Sequence, residues 1–148
     1  MALHFNSNGN LYRTVSLTYE KFLTHFVTNP RRRHLVANAL PFFRIFHSCS
    51  GQTVYIDGSF ASTKEFPEDI DLCFDITPID EIKLSAEFPQ FFNINDIGNI
   101  RRDLQCHIFH FHSGDRSLLD LLSNDREGNS KGLIKLDLKD IIHYHDQK

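Results

Sequence analysis

The segment DIDLCFDI, residues 69–76, admits one regular structure. Ile70, Leu72, Phe74 and Ile76 alternate with Asp69, Asp71, Cys73 and Asp75, and a strand sends two such sets to opposite faces. One face must be buried while the other carries carboxylates. Asp69 and Asp71 leave that second face about 6–7 Å apart at the backbone. Unpaired, they repel each other and resist burial. A divalent cation removes that penalty, and hard oxygen ligands of this kind suit Mg²⁺ or Mn²⁺. Two such ions about 3.5–4 Å apart can activate an attacking oxygen and stabilise a leaving phosphate.

A second strand, TVYID (53–57), ends at Gly58-Ser59, and nine residues separate that pair from Asp69. A glycine after a strand lets the backbone approach a bulky anion, and a serine hydroxyl adds a donor. The connection FASTKEFPE, with Lys64 and Pro67, returns the chain so that the aspartates stand beside the turn. A nucleoside triphosphate would fit, with its phosphates on Gly58, Ser59 and Lys64 and its metals on Asp69 and Asp71. Alone, Gly-Ser is usually a turn and Asp-x-Asp a solvated strand face; the joined pattern is far more specific.

The rest of the chain supplies helices and further strands. SLTYEKFLTHFVT (16–28) has a helical period in Leu17, Phe22, Leu23 and Phe26. NPRRRHLVANALPFFRIFHSCSG (29–51) starts with Asn29 as N-cap and Pro30 at the first helical position. Pro41 is expected to kink or divide that helix and Gly51 to end it. Residues 79–87 are weakly helical, and PQFFNINDIGNI (89–100) has no readable period. LQCHIFHFH (104–112) reads as a third strand, DRSLLDLLS (115–123) as a short helix and LIKLDL (133–138) as a fourth strand. The tail KDIIHYHDQK reads as helical or frayed. The expected fold is α/β in the broad sense, of α+β type: a mixed, mostly antiparallel sheet of about four strands with helices packed against one face. Residues 1–15 read as a polar arm and 16–148 as a single domain.

Charge narrows the partners. A net charge of −3, with nine His uncounted, gives no support to broad nucleic-acid binding. Arg31-Arg32-Arg33 opens a helix against the dipole preference for acids there. It reads as a solvated helix end with one arginine paired to a carboxylate, or as a local patch for RNA or an acidic partner. The three cysteines form no Cys-x-x-Cys pair, which suits a reducing compartment. With no apolar leader and no run of about 18 apolar residues, the expectation is a cytoplasmic protein without a membrane partner.

Gly58-Ser59 followed by Asp69-Ile70-Asp71 resembles the signature of the nucleotidyltransferase superfamily related to DNA polymerase beta. Within it, the chain is similar to a small bacterial and phage family of minimal nucleotidyltransferase-like proteins. The resemblance spans residues 15–140 and rests on Asp57-Gly58-Ser59-Phe60, Lys64, Pro67, Asp69-Ile70-Asp71, Asp125-Arg126-Glu127-Gly128, Lys131-Gly132 and the upstream PRRRHLV. It implies a nucleotidyltransferase-like fold and metal-dependent transfer of a nucleoside monophosphate from an NTP to a protein or RNA hydroxyl. A toxin–antitoxin or phage-defence setting, with a toxin as partner, goes with it.

The superfamily adds a third carboxylate from a later strand, and that place falls on His107. A neutral imidazole can take a proton but is a poor Mg²⁺ ligand. The expected catalytic set is therefore Asp69, Asp71 and His107, with nucleotide on Gly58, Ser59 and Lys64. Two alternatives stay open: a catalytically degenerate module that binds nucleotide or a protein partner, and a metal-dependent phosphohydrolase using the same carboxylates.

Overall fold

The computed structural model describes residues 3–115, 117–124 and 130–147. The chain runs β1 (Val15–Ser16), α1 (Tyr19–Phe26), α2 (Pro30–Ser48), β2 (Thr53–Asp57), a 3-10 turn (Gly58–Ala61), β3 (Ile70–Asp75), α3 (Glu81–Glu87), a second 3-10 turn (Pro89–Phe92), α4 (Ile94–Leu104), β4 (Cys106–Phe111), α5 (Ser117–Leu122), β5 (Ile134–Asp137) and α6 (Leu138–Asp146). It is an α+β fold with one mixed sheet of five strands in the order β1-β5-β2-β3-β4.

The expectation of a mostly antiparallel sheet of about four strands needs correction. β2 pairs antiparallel with both β3 and β5, but β3–β4 and β1–β5 are parallel. Parallel neighbours need a long crossover, and residues 76–105, carrying α3 and α4, supply it between β3 and β4. The fifth strand comes from the N-terminus. Residues 3–15, read from sequence as a polar arm, lie against the domain: Leu11 is buried, and the Leu11 carbonyl accepts from the Gly132 N–H at 2.8 Å. A Cβ on Gly132 would stand 2.2 Å from the Arg13 carbonyl oxygen, so the close approach requires glycine.

The alternation of β3 is realised as expected. Ile70, Leu72 and Phe74 join Val54 and Ile56 of β2 in the main core, under α1, α2 and α6. Phe46 of α2 stacks on Phe74 with ring centroids 3.8 Å apart. The opposite face carries a smaller cluster of Tyr55, Cys73 and Phe111 beneath Leu119 of α5, so helices cover both faces rather than one. α4 forms where no period was legible, with the Asn93 side chain capping it through the Asn95 and Asp96 N–H groups.

Pro41 does not divide α2, which runs unbroken for 19 residues. Pro41 and Ala37, whose carbonyl loses its helical partner, both face solvent, so that carbonyl is not buried without a donor. Ala39, Phe42, Phe43 and Phe46 fix both halves of the helix in one core.

The arginine run also departs from expectation. Among the described residues Arg32 meets no carboxylate. It is 3% exposed, and its guanidinium donates to the carbonyls of Phe26 (3.0 Å), Phe60 (2.7 Å), Ser62 (2.9 Å) and Lys64 (2.6 Å), with Ser59 at 3.5 Å. Its carbon also lies over the Phe60 ring. Arg31 donates from Nε to the Pro67 carbonyl at 3.0 Å and from Nη2 to the Glu68 carbonyl. The start of α2 is thus a clamp on the connection between Gly58 and Asp69.

Replacing Arg32 with alanine should leave several buried carbonyls without donors, at a cost on the order of 3 kcal/mol or more. Arg32→Lys should recover only part of this, because one ammonium cannot reproduce the planar fork. Urea denaturation of the three proteins measures the difference, and equal midpoints for wild type and Arg32→Ala would refute the clamp.

Candidate active site

The carboxylates gather where β2 ends and β3 begins. Antiparallel pairing sets Asp57 directly opposite Asp71, and parallel pairing sets Asp71 opposite His107. Strand alternation puts Asp57, Asp71 and His107 on one face, as a row across three adjacent strands. Asp69 stands at the entry to β3. His107 Nδ1 is 3.8 Å from Asp71 Oδ1.

The turn after β2 lies against this row. Gly58 has φ +74°, and a Cβ built on it would stand 2.6 Å from Asp71 Oδ2. Only glycine fits both the backbone conformation and the contact. Ser59 sits in the same 3-10 turn, where its carbonyl accepts from Ser62 Oγ at 2.5 Å. The sequence-predicted Gly58, Ser59, Asp69, Asp71 and His107 therefore meet at one end of the sheet. Lys64 is exposed and lines a separate cleft with His25, Asn29 and Arg32.

The cations at the carboxylates are Arg101, which sequence reasoning did not assign to the site, and Lys131, which it offered with Lys64 and Arg126 as a cation for triphosphate oxygens. Arg101 Nη2 of α4 reaches Asp69 Oδ2 at 3.3 Å. Lys131 Nζ lies 3.6 Å from Asp57 Oδ1. Arg101 follows directly on the stretch whose period was unreadable, so nothing in the sequence turned it toward Asp69. Asp57 was also passed over as a site residue. Its signal was available: it is an acid closing an otherwise apolar strand, immediately before the Gly-Ser turn. Asp125, Arg126, Glu127 and Gly128 lie outside the described residues.

The electrostatics are those of acids short of counter-charge. Asp57 is 2% exposed, and neither its Oδ1 nor that of Asp71 has a hydrogen-bond partner among the described residues. Burial, then the charges of Asp69 and Asp57, push the Asp71 carboxyl from 3.8 up to about 7. Burial also raises Asp57, with Lys131 working against it. Burial and Arg101 hold His107 below its ordinary value, which favours the neutral imidazole near pH 7. No group of three His, Cys, Asp or Glu side chains among the described residues is arranged to hold a metal as it stands. The two buried carboxylate oxygens that accept no hydrogen bond among the described residues are nevertheless the kind of donor that a hard divalent cation takes.

Other constellations contribute less. Cys49, Cys73 and Cys106 are free and buried, and burial pushes the Cys73 and Cys106 thiols up to about 12, which excludes a ready thiolate there. His110 packs near the Phe91 ring rather than beside His107, and His112 lies beyond the end of β4. A cleft lined by Ser16, His47, Gln52, Lys135 and Asp137 opens at the far end of β2 from the carboxylates. Among the described residues no helix is long and apolar enough to cross a membrane.

The model of the family described as "Family of unknown function (DUF6932)" matches residues 3–137, and the chain belongs to that family. No curated protein and no solved structure matches the chain.

Two measurements test this geometry. Asp71 is raised in the fold, so the folded chain holds a proton that the unfolded chain releases. Its contribution to stability is present below about pH 4 and is lost as pH rises through about 7. In chelator, wild type should lose more melting temperature between pH 5 and 7.5 than Asp71→Asn, by the equivalent of up to a few kcal/mol. Asp57, Asp69, Arg101, Lys131 and His107 face the same group, and His107 works in the opposite sense, so the difference between the two proteins is the informative quantity. Identical pH profiles would show that Asp71 ionises freely. In parallel, Gly58→Ala should lower the melting temperature at neutral pH, because its φ is strained and its Cβ meets the Asp71 carboxylate.

Proposed function

We propose that the chain is a metal-dependent nucleotidyltransferase that moves a nucleoside monophosphate from an NTP to a hydroxyl of a protein or RNA in the cytoplasm. The observation that carries this reading is the meeting of a left-handed glycine turn with the acid row. Gly58 brings backbone against the Asp71 carboxylate, so a triphosphate on the turn would have its phosphates beside the acids. Asp69 and Asp71 would hold Mg²⁺ or Mn²⁺. When bound, such an ion neutralises phosphate charge and polarises the reacting phosphorus.

The residues of the chain divide the remaining work. Gly58 and Ser59 receive the phosphates through the turn. Lys131 and Arg101 bring positive charge to the acid row and can turn to phosphate oxygens. Lys64 contributes at longer reach from its loop. In the reaction, the acceptor oxygen forms a bond to the α-phosphorus and the bond to the bridging oxygen breaks. Pyrophosphate leaves with that electron pair. The hydroxyl proton passes to neutral His107. With Nδ1 turned toward Asp71, Nε2 is the nitrogen left to accept it. A groove lined by His107, Phe109, Phe92, Ile94, Ile97 and Leu118 adjoins this position and offers apolar area to a ring of the nucleotide or acceptor.

One observation favours a second reading. His107 stands opposite Asp71 where a carboxylate was sought, which suits a module that has kept the fold, binds nucleotide or a protein such as a toxin, and transfers nothing.

Incubation with α-labelled NTPs, Mg²⁺ or Mn²⁺ and lysate should label an acceptor. Asp69→Ala with Asp71→Ala should cut that labelling by at least about a hundredfold. Binding of NTP without labelling in either metal would favour the second reading. Absence of NTP binding with both metals would exclude the transferase.

A further inference from the structure

We propose that Asp57 is the third acidic member of the cation-binding set, supplied by β2 rather than by the later strand, with Lys131 as its counter-charge when no cation is bound. This rests on the nucleotidyltransferase reading of the same site and adds a residue to it.

The placement of Asp57 is hard to explain as structure alone. It faces Asp71 directly across the β2–β3 ladder, and like charges in that position destabilise a sheet. It is 2% exposed, and its Oδ1 accepts no hydrogen bond among the described residues. A structural carboxylate at the start of a helical turn would cap it, yet Asp57 makes no regular capping bond, and the turn offers it only the neighbouring Gly58 N–H. The orphan oxygen is the one that Lys131 Nζ approaches at 3.6 Å.

Charge accounting points the same way. Three carboxylates, Asp57, Asp69 and Asp71, meet two permanent cations. Arg101 serves Asp69 and Lys131 serves Asp57, so Asp71 has no permanent cation within ion-pair distance among the described residues. The two orphan oxygens, Asp57 Oδ1 and Asp71 Oδ1, belong to residues paired across the ladder, and a divalent ion would satisfy both. Among the described residues no three such side chains are arranged to hold an ion as they stand, so binding would have to draw the set together. His107, on the third strand of the row, is then free to handle a proton, since the carboxylate sought on β4 is provided from the other side of Asp71.

Mn²⁺ binding by calorimetry and thermal melting in chelator, on wild type, Asp57→Asn, Asp71→Asn and Lys131→Met, test the assignment. Asp57→Asn should weaken Mn²⁺ binding tenfold or more, as Asp71→Asn does, while melting in chelator at or above the wild-type temperature because a buried charge has gone. Lys131→Met should melt lower in chelator and bind Mn²⁺ several-fold more tightly, because a competing ammonium has been removed. That variant keeps the proposal testable if Asp57→Asn does not fold. Wild-type Mn²⁺ affinity in Asp57→Asn, with Asp71→Asn impaired, would overturn the role of Asp57 and leave the transferase reading intact. Unchanged or weaker Mn²⁺ binding by Lys131→Met would also overturn it. No Mn²⁺ binding by wild type, with or without NTP, would overturn both.

Discussion

The Arg32 guanidinium is the interaction on which the site depends. It sits in the first turn of α2, where the helix dipole disfavours a cation, and it is almost fully buried. Its donors are spent on carbonyls along the first half of the Gly58–Asp69 connection and on Phe26 at the end of α1, while Arg31 holds the second half. A loop would otherwise need water or its own turns to satisfy those carbonyls. Asn29 extends the clamp: its Oδ1 caps α2 through the Arg32 N–H, and its Nδ2 donates to the Glu65 carbonyl. Fixing this loop fixes where β3 begins, and hence the register that sets Asp71 against Asp57 and His107.

Within that frame, the acid row is a local conflict with folding. Carboxylates opposed across a ladder, two of them with oxygens that no described residue hydrogen-bonds, cost stability that the Phe-rich core beneath must offset. Sites that violate local rules while their surroundings obey them are where function is expected. The glycine turn belongs to the same conflict, since its backbone takes the place where a side chain would clash with Asp71.

Much of this was readable in advance. The alternation of DIDLCFDI predicted the strand, its buried face and the shared face of Asp69 and Asp71. TVYID matched β2 residue for residue. Helix signals at Asn29 and Pro30 were read correctly because capping is a local matter. Local rules failed where long-range contacts outweighed them. Pro41 stayed within one helix because its neighbours share a core. The polar N-terminus added a strand because a sheet edge was there to receive Val15 and Ser16. Arg32 found carbonyls rather than a carboxylate because a loop 27 or more residues away arrived beside it.

The sequence by itself determined the ingredients of the candidate site: a glycine turn after a strand, two carboxylates on one face of the next, and a histidine on a later strand. Periodicity and turn chemistry act over a few residues, so one chain suffices to read them. Tertiary structure alone decided the neighbours. Which strands pair, and in which register, made Asp57 the partner of Asp71 and brought Arg101 and Lys131 to the acids. Contacts between residues dozens of positions apart leave no periodic trace, because they are selected by the packing of the whole sheet and its helices rather than by any local stretch.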